Sequence, residues 1–287
     1  MHIIIPMAGK GERFRAAGYT EPKPLITVEG KPIIRHVVEM FSPKEDLFTF
    51  VCNDDDYEKF GLEAFLGKVA TRAKVIPIKY EKFGPVWGVL QALEKEDFID
   101  DGEQTIVNYC DFSAWWDYRD FQKAVSNHEW DGCITAYRGF HPHSLGTTMY
   151  GYLRCGDGGR LLEIREKECF TANRMGEFAS AGTYYFKRGG YVRKYFQEQW
   201  DRKIQKNGEY YVSLCYNLMA RDGLGVYPYE LERFLQWGTP EDLSEYLYWS
   251  EVFLSKGGHD FENRGSQDPR IFGYWKSFFS KKFRLDY

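Results

Sequence analysis

No run of apolar residues in the chain approaches the ~20 needed for a membrane-spanning helix. The opening HIIIPM gives way at once to a charged glycine loop and is too short for the apolar core of a secretory signal. Six cysteines, Cys52, Cys110, Cys133, Cys155, Cys169 and Cys215, form no CxxC pair and no metal-finger spacing. With nothing that marks secretion, the thiols are expected to be reduced and the protein cytoplasmic. Excess basic charge is also missing: 38 Lys and Arg stand against 42 Asp and Glu, a net of −4, which argues against a general nucleic-acid binder. There is no internal repeat and no low-complexity linker. With 43% hydrophobic residues among 287, one packed domain is expected and wholesale disorder is not.

Aromatics, in contrast, are abundant at 18%, which asks for a ligand pocket or a subunit contact beyond the core. Strand-like HIIIP, LFTFVC, KVIPI and TIVNYC alternate with helix-like KPIIRHVVEMF, DDDYEKFGLEAFLGKV and PVWGVLQALEKE through the first ~110 residues, the pattern of a parallel sheet with helical crossovers. Pro32 marks a helix start. GCITAYR, MYGYLRC, LLEIREKE and SAGTYYFK then follow as closely spaced strands, two of them separated by the turn signal GDGG. Helical periodicity returns in YVRKYFQEQWDRKIQ and EYYVSLCYNLMARDG. GVYPYEL reads as a late strand, and TPEDLSEYLYWSEVFL as a helix capped by Thr239. The expected fold is α/β and Rossmann-like: a mainly parallel central sheet flanked by helices, with a strand-rich insertion in the second half.

Three readings compete for AGKGERF. A P-loop needs Gly-Lys-Ser/Thr so that a hydroxyl can hold magnesium, and here Gly11 follows Lys10. A dinucleotide fold would open a long helix after Gly9 and Gly11. GYTEPKPL arrives too soon for that, because Pro22 and Pro24 lack amide hydrogens and force their predecessors to be extended. In the third reading Gly9 and Gly11 let backbone amides approach a triphosphate. Arg13 then offers a fork of donors to the β- and γ-phosphates, and Lys23, on its stiff proline segment, offers a point charge to the α-phosphate.

PMAGKGERF…GYTEPKPL resembles the signature of the sugar-phosphate nucleotidyltransferases, in the form seen among members that serve bacterial surface polysaccharide assembly. The resemblance implies a nucleotide-diphospho-sugar transferase (GT-A-like) fold. It implies a single nucleotidyltransferase domain over 1–256, with a nucleotide-binding half at 1–115, an acceptor-binding half at 116–256, and an extension at 257–287. Ala8, Gly9 and Gly11 would hold the nucleotide. GVLQAL is similar to the family's base-reading segment, which points to Gln91 for the base edge and to Gly88 for close backbone approach. IVNYCD matches the strand that ends in the metal-binding aspartate, giving Asp111, and a carboxylate at a parallel strand's carboxyl end faces the crevice of the first loop. YGYL, EIREKE and SAGTYYF resemble acceptor-binding segments and give Gly151, Glu166, Lys167 and Gly182. Taken alone, Glu166 and Lys167 also read as an exposed charge pair.

Two positions depart from the family pattern. FLQWGTPEDL puts Gln236 where many sugar enzymes carry a second metal carboxylate, and a neutral amide binds Mg2+ more weakly. Glu12 stands where small hydroxyl residues are common, adding negative charge beside the phosphates. Trp87, next to the base segment, has no assigned role. The implied reaction is attack by a phosphomonoester on the α-phosphorus of an NTP, with a lean toward CTP or UTP. Pyrophosphate leaves, and an activated precursor of NDP-sugar type forms. Sugar 1-phosphates lead as acceptors, small non-sugar phosphometabolites stay open, and Tyr150, Tyr184 and Tyr210 suit either. His141 and His143 read as loop residues. The aromatic, lysine-bearing tail IFGYWKSFFSKKFRLDY is expected to dock on its own or a neighbouring subunit.

The rivals are a glycosyltransferase that uses a nucleotide-sugar and a non-catalytic nucleotide-sensing protein. The first lacks its Asp-x-Asp at a central strand end. In NDDDY, Asp54 and Asp56 are explained by helix capping.

Overall fold

The structure is a computed structural model that describes residues 1–141 and 148–256. The first half runs β1 (His2–Pro6), α1 (Glu12–Ala16), β2 (Thr27–Val28), β3 (Lys31–Pro32), α2 (Ile33–Glu39), β4 (Leu47–Asn53), α3 (Asp54–Phe60), α4 (Leu62–Val69), β5 (Ala73–Ile78), α5 (Pro85–Lys95) and β6 (Thr105–Asn108). The second half adds β7 (Phe112–Trp115), α6 (Tyr118–Asn127), β8 (Gly132–Tyr137), β9 (Gly151–Cys155), β10 (Leu161–Glu166), β11 (Phe178–Phe186), α7 (Gly189–Asp201), α8 (Val212–Arg221), β12 (Val226–Glu230), β13 (Arg233–Gln236) and α9 (Pro240–Lys256).

β1 takes the centre of the sheet because its isoleucines serve two cores. Ile3 and Ile5 pack on one face and Ile4 on the other, all fully buried, as a parallel strand covered on both sides requires. β1 pairs in parallel with β4 and with β6, and β5 extends the β4 side. The chain thus leaves β1 in one direction through β4 and β5, then returns to its other side as β6. Such a reversal opens a crevice at the strands' carboxyl ends. Beyond β6 the sheet turns antiparallel: β11 pairs with β6, β8 and β9, and β9 pairs with β10. β12 closes the arrangement in parallel with β8. The mixed α/β architecture with a parallel centre is the one the alternating pattern implies.

Several elements differ from the sequence expectation. The helix expected over DDDYEKFGLEAFLGKV is two helices, because Gly61 adopts φ 57° and ends α3 before α4 begins. The strand expected to run to Asp111 ends at Asn108, where the Tyr109 amide turns to the Gly182 carbonyl at 2.9 Å. Residues 112–115 then form a separate antiparallel ladder with 233–236. Thr239 caps α9 as expected, its hydroxyl accepting from the Asp242 amide at 3.1 Å.

Many of the abundant aromatics are core. Phe41, Trp116, Tyr118, Phe121 and Tyr229 form one cluster of ring contacts, and Tyr184, Tyr185, Phe186 and Tyr216 are fully buried. All six cysteines are free. Among the described residues no helix is long and apolar enough to cross a membrane. His143 and the 257–287 extension, with its expected docking role, lie outside the described residues.

The start of α7 is pressed against the loop before β6. A Cβ on Gly189 would overlap the Asp100 carbonyl oxygen and lie 2.5 Å from Ile99 Cγ2. Overpacking of this kind costs about 1–3 kcal/mol. Gly189→Ala should therefore lower the urea midpoint while leaving the denaturant slope unchanged.

Candidate functional site

A cleft of about 510 Å³ opens at the carboxyl ends of β1 and β6. One wall is the glycine loop from Met7 to Phe14 with Lys23, and another is formed by Tyr80–Lys82 and the first turn of α5. Asp111 and Gly238 close one side, and Glu209 and Tyr211 another. Gly11 sits at φ 61°, left-handed backbone that only glycine adopts without cost. α1 is five residues long and stops before the prolines, after which Lys23–Leu25 form a single 3-10 turn. Buried Asn53 holds the loop from behind, donating to the Ala8 carbonyl at 3.2 Å while accepting from the Asp56 amide at 2.8 Å. Lys10 pairs with Asp55 at 3.2 Å and Arg15 with Asp56 at 3.6 Å. The acidic run NDDDY therefore anchors the loop as well as capping α3.

Lys23 Nζ donates to Asp111 Oδ2 at 2.8 Å, joining residues 88 apart in sequence. Burial works against the Lys23 charge, but the Asp111 carboxylate outweighs it and holds the ammonium above its ordinary value. Arg13 is exposed on the cleft wall, near enough to Lys23 to oppose its charge. It has no ion-pair partner among the described residues. The cleft is lined by four cations (Lys10, Arg13, Lys23, Lys82) and four carboxylates (Glu12, Glu81, Asp111, Glu209), so it carries no net charge with which to offset a polyphosphate.

Among the described residues no group of three or more His, Cys, Asp or Glu is placed to hold a metal ion. Asp111 is the carboxylate beside Lys23, and one carboxylate plus substrate phosphates is a sufficient protein share of a Mg2+ site. The residues fit a divalent cation in that limited sense. Gln236 is buried, with both ends of its amide engaged: the oxygen accepts from Tyr150 at 2.5 Å, and the nitrogen donates to Asp242. Gly238 lies between the two acids, its vacant Cβ position 3.4 Å from Asp111 Oδ2 and 4.0 Å from Asp242 Oδ2.

At the α5 end the cleft is lined by Gly88 but not by Gln91. In the amide orientation that satisfies both its atoms, Gln91 donates to the Lys79 carbonyl at 3.0 Å and accepts from the Trp87 indole. The structure thus brings Gly88 to the site and leaves Gln91 behind it, held by its own neighbours. Two residues with no sequence-level role do line the cleft here, Trp87 and Glu81. The anomalous Glu12 also finds its answer in this wall. Lys82 Nζ donates to Glu12 Oε2 at 2.8 Å, across a separation of 70 residues, and that contact draws the Glu12 carboxyl below its usual range. No local sequence signal links the two.

None of the four acceptor candidates forms the cleft wall itself. Lys167 reaches it through Tyr211, donating to the Tyr211 hydroxyl at 2.6 Å. Gly182, at φ 105°, presses against Tyr109 and Phe112, where a Cβ would fall 3.2 and 2.9 Å from their rings. Gly151 makes room for Glu166, whose Oε1 would lie 2.9 Å from a Cβ there. Glu166 is buried and accepts from the Ser213 hydroxyl. Burial pushes its carboxyl up to about 7, against the pull of Ser213 and Lys167. It is no exposed charge pair. Of the three tyrosines, Tyr184 is a core residue and Tyr210 leans on Trp200 at an interplanar angle of 44°, while Tyr150 alone turns toward Gln236.

The sequence profile of the Nucleotidyl transferase family matches residues 2–251. The chain belongs to that family. It is 29% identical over 211 residues to the bifunctional protein GlmU of Methanocaldococcus jannaschii, covering 73% of this chain and 44% of the relative. It is 26% identical over 250 residues to the catalytic subunit beta of a Danio rerio mannose-1-phosphate guanylyltransferase, covering 84% of this chain and 62% of that one. The chain thus spans about half the length of these curated relatives. In fold it is similar to a nucleoside-diphosphate-sugar pyrophosphorylase from Vibrio cholerae RC9, with TM-score 0.70 and 19% identity over 86% of this chain and 99% of the other.

Within this nucleotidyl transferase, Glu166 makes stability depend on pH. A carboxyl raised in the folded state carries more protons there than in the unfolded chain. Its contribution is full below the unfolded value of 4.5 and is lost as pH rises through about 7. Glu166→Gln keeps the shape and removes the titration. Between roughly pH 5.5 and 8.5, wild type should lose about 2 kcal/mol of unfolding free energy relative to that variant. Parallel urea titrations of the two at both pH values would show it, and identical losses would contradict the assignment.

Proposed function

We propose that the protein transfers a nucleoside monophosphate from an NTP to a sugar 1-phosphate or a similar phosphomonoester, releasing pyrophosphate. The observation that carries this reading is the Lys23–Asp111 pair on the wall of a cleft that also holds Gly9, Gly11 and Arg13, which has no ion-pair partner among the described residues. The 1–115 half takes the nucleotide and the 116–256 half the acceptor. The link to surface polysaccharide synthesis rests on the form of the loop motif alone. The lean toward CTP or UTP has no cleft residue behind it, because a glutamine pairs with a pyrimidine or a purine edge alike and Gln91 does not line the cleft.

In this reading an oxygen of the acceptor phosphate forms a bond to the α-phosphorus while the bond to the β-phosphate bridging oxygen breaks. Pyrophosphate carries away the electron pair. Both reactants are anions, so the requirement is alignment and charge neutralisation. Backbone amides of the glycine loop receive the phosphates, and Arg13 takes the pyrophosphate side. Lys23 turns from Asp111 to the α-phosphoryl oxygens. Lys167, steadied by Tyr211, holds the acceptor phosphate, and a phosphate dianion needs no general base. Bound Mg2+ would supply Lewis-acid neutralisation of the triphosphate. Asp111 would be its carboxylate ligand, and Gln236 could join only by sharing the oxygen that now accepts from Tyr150.

Glu12 would face the triphosphate as an uncompensated negative charge if Lys82 did not cover it. The full chain with Mg2+ would be assayed for pyrophosphate release from five NTPs against phosphorylated acceptors. Arg13→Ala and Lys23→Ala should each lower kcat/KM by about 10²–10³, and undiminished release in both would sink the reading. Lys82→Ala should weaken NTP binding severalfold, and adding Glu12→Gln should restore it. Equal binding by the single and double variants in calorimetry would show that the pair is only a surface contact.

A further inference from the structure

Among the cleft carboxylates, Glu12 and Asp111 are covered by lysines, and Glu209 accepts from the Tyr211 hydroxyl. Glu81 is held differently, by an indole. Trp87 Nε1 lies 2.8 Å from Glu81 Oε2, and its single N–H is shared between that oxygen and the Gln91 amide oxygen. The Trp87 ring is itself fixed, stacked on Trp200 with centroids 4.0 Å apart and edged by Phe83 at 5.9 Å. Such a ring cannot tip without breaking the stack, so the shared N–H holds Gln91 and Oε2 of Glu81 on the same side of the indole. Oε1 accepts no hydrogen bond among the described residues. Glu81 lines the cleft together with Gly88 and follows β5, whereas Asp111 follows β6 on the other side of β1.

We propose that Glu81 reads the nucleobase and selects guanine. The assignment rests on the nucleotidyl transferase reading, which puts the triphosphate at the glycine loop and leaves the α5 end for the base. An ionised carboxylate only accepts hydrogen bonds, and its two oxygens can take two parallel donors at once. Guanine alone presents two neighbouring donors on its Watson–Crick edge, N1–H and the N2 amino group. Adenine and cytosine each put a ring-nitrogen acceptor beside their amino group. Uracil and thymine flank a single N–H with two carbonyl oxygens. For these four bases the same carboxylate meets at least one lone pair, so it repels wrong partners as well as attracting the right one. Gln91, turned to Lys79 and Trp87, leaves this task to Glu81. Trp87 acts through Glu81 and is a positioning residue.

The test is a calorimetric titration of the full chain with GTP, ATP, CTP, UTP and dTTP in Mg2+, for wild type, Glu81→Gln and Trp87→Phe. Pyrophosphate release from each nucleotide would be measured alongside. Wild type should bind GTP about tenfold to a hundredfold more tightly than UTP, the discrimination expected of one bidentate base contact. Glu81→Gln, an exposed and nearly isosteric change, should lose most of that ratio by weakening GTP and not UTP. Trp87→Phe keeps a ring on Trp200 but drops the N–H, and should lose part of it. A pyrimidine preference in wild type, or an unchanged GTP preference in Glu81→Gln, overturns the assignment. The transferase reading survives that outcome if release from the preferred nucleotide still needs Arg13 and Lys23. Failure to bind any triphosphate brings down that reading, and the guanine assignment with it.

Discussion

The Lys23–Asp111 ion pair is the contact on which the cleft depends. It exists because β1 and β6 lie side by side although 99 residues separate Pro6 from Thr105, so the segments leaving the two strands meet at one crevice. The prolines around Lys23 keep that segment from joining α1 and return the lysine to the crevice. Both groups are largely withdrawn from water, with side-chain exposures of 19% and 27%. Removing one partner would leave the other as a poorly solvated charge, a far larger penalty than the net contribution of the pair itself. The same feature suits the pair to an exchange. In the proposed function a polyphosphate would offer Lys23 a new anion and a divalent cation would offer Asp111 a new counter-charge, so neither group need pass through an unpaired state.

Around this pair, rigidity comes from behind the glycine loop and from the opposite wall of the cleft. The glycine loop has few side chains of its own to fix it, and its backbone must stay open to a ligand. Asn53, Asp55 and Asp56, at the junction of β4 and α3, supply that support through Ala8, Lys10 and Arg15. Lys82 and Tyr80 reach the loop from the opposite wall, Lys82 onto Glu12 and Tyr80 beneath the Lys10 ammonium, 5.5 Å from ring centroid to Nζ. Glu12, which looks misplaced in sequence, is one half of a contact across the cleft.

Much of the fold is legible in the sequence because its signals are local. Isoleucines in β1, the alternation through β6 and the Thr239 cap each need only a few neighbouring residues. The shape of the glycine loop is legible for a similar reason, since the prolines exclude a long helix without any tertiary knowledge. What escapes is non-local. The ladder between residues 112–115 and 233–236 joins two short segments that carry no strand signal of their own. Gln91 shows the limit most clearly: a helix residue near a glycine of the cleft satisfies a motif, but one turn of α5 decides whether it faces the ligand or Lys79. Glu166 errs in the other direction. In sequence it belongs to an exposed-looking charge run, and only the space left by Gly151 shows that it is buried.

The same non-local logic accounts for a neutral residue at 236. Asp242 is committed to α9, where its amide is capped by Thr239 and its charge suits the first turn of a helix. Its carboxylate also accepts from the Gln236 amide nitrogen. An aspartate at 236 would set two carboxylates against each other in a partly buried place, where like charges cannot both ionise cheaply. The amide avoids that conflict: one end donates to Asp242, and the other accepts from Tyr150. A second acid at 236 would therefore require giving up Asp242 in its present role. In the proposed function Asp111 would then be the carboxylate ligand of a divalent cation, and the phosphates that the cation neutralises would supply its remaining oxygen ligands.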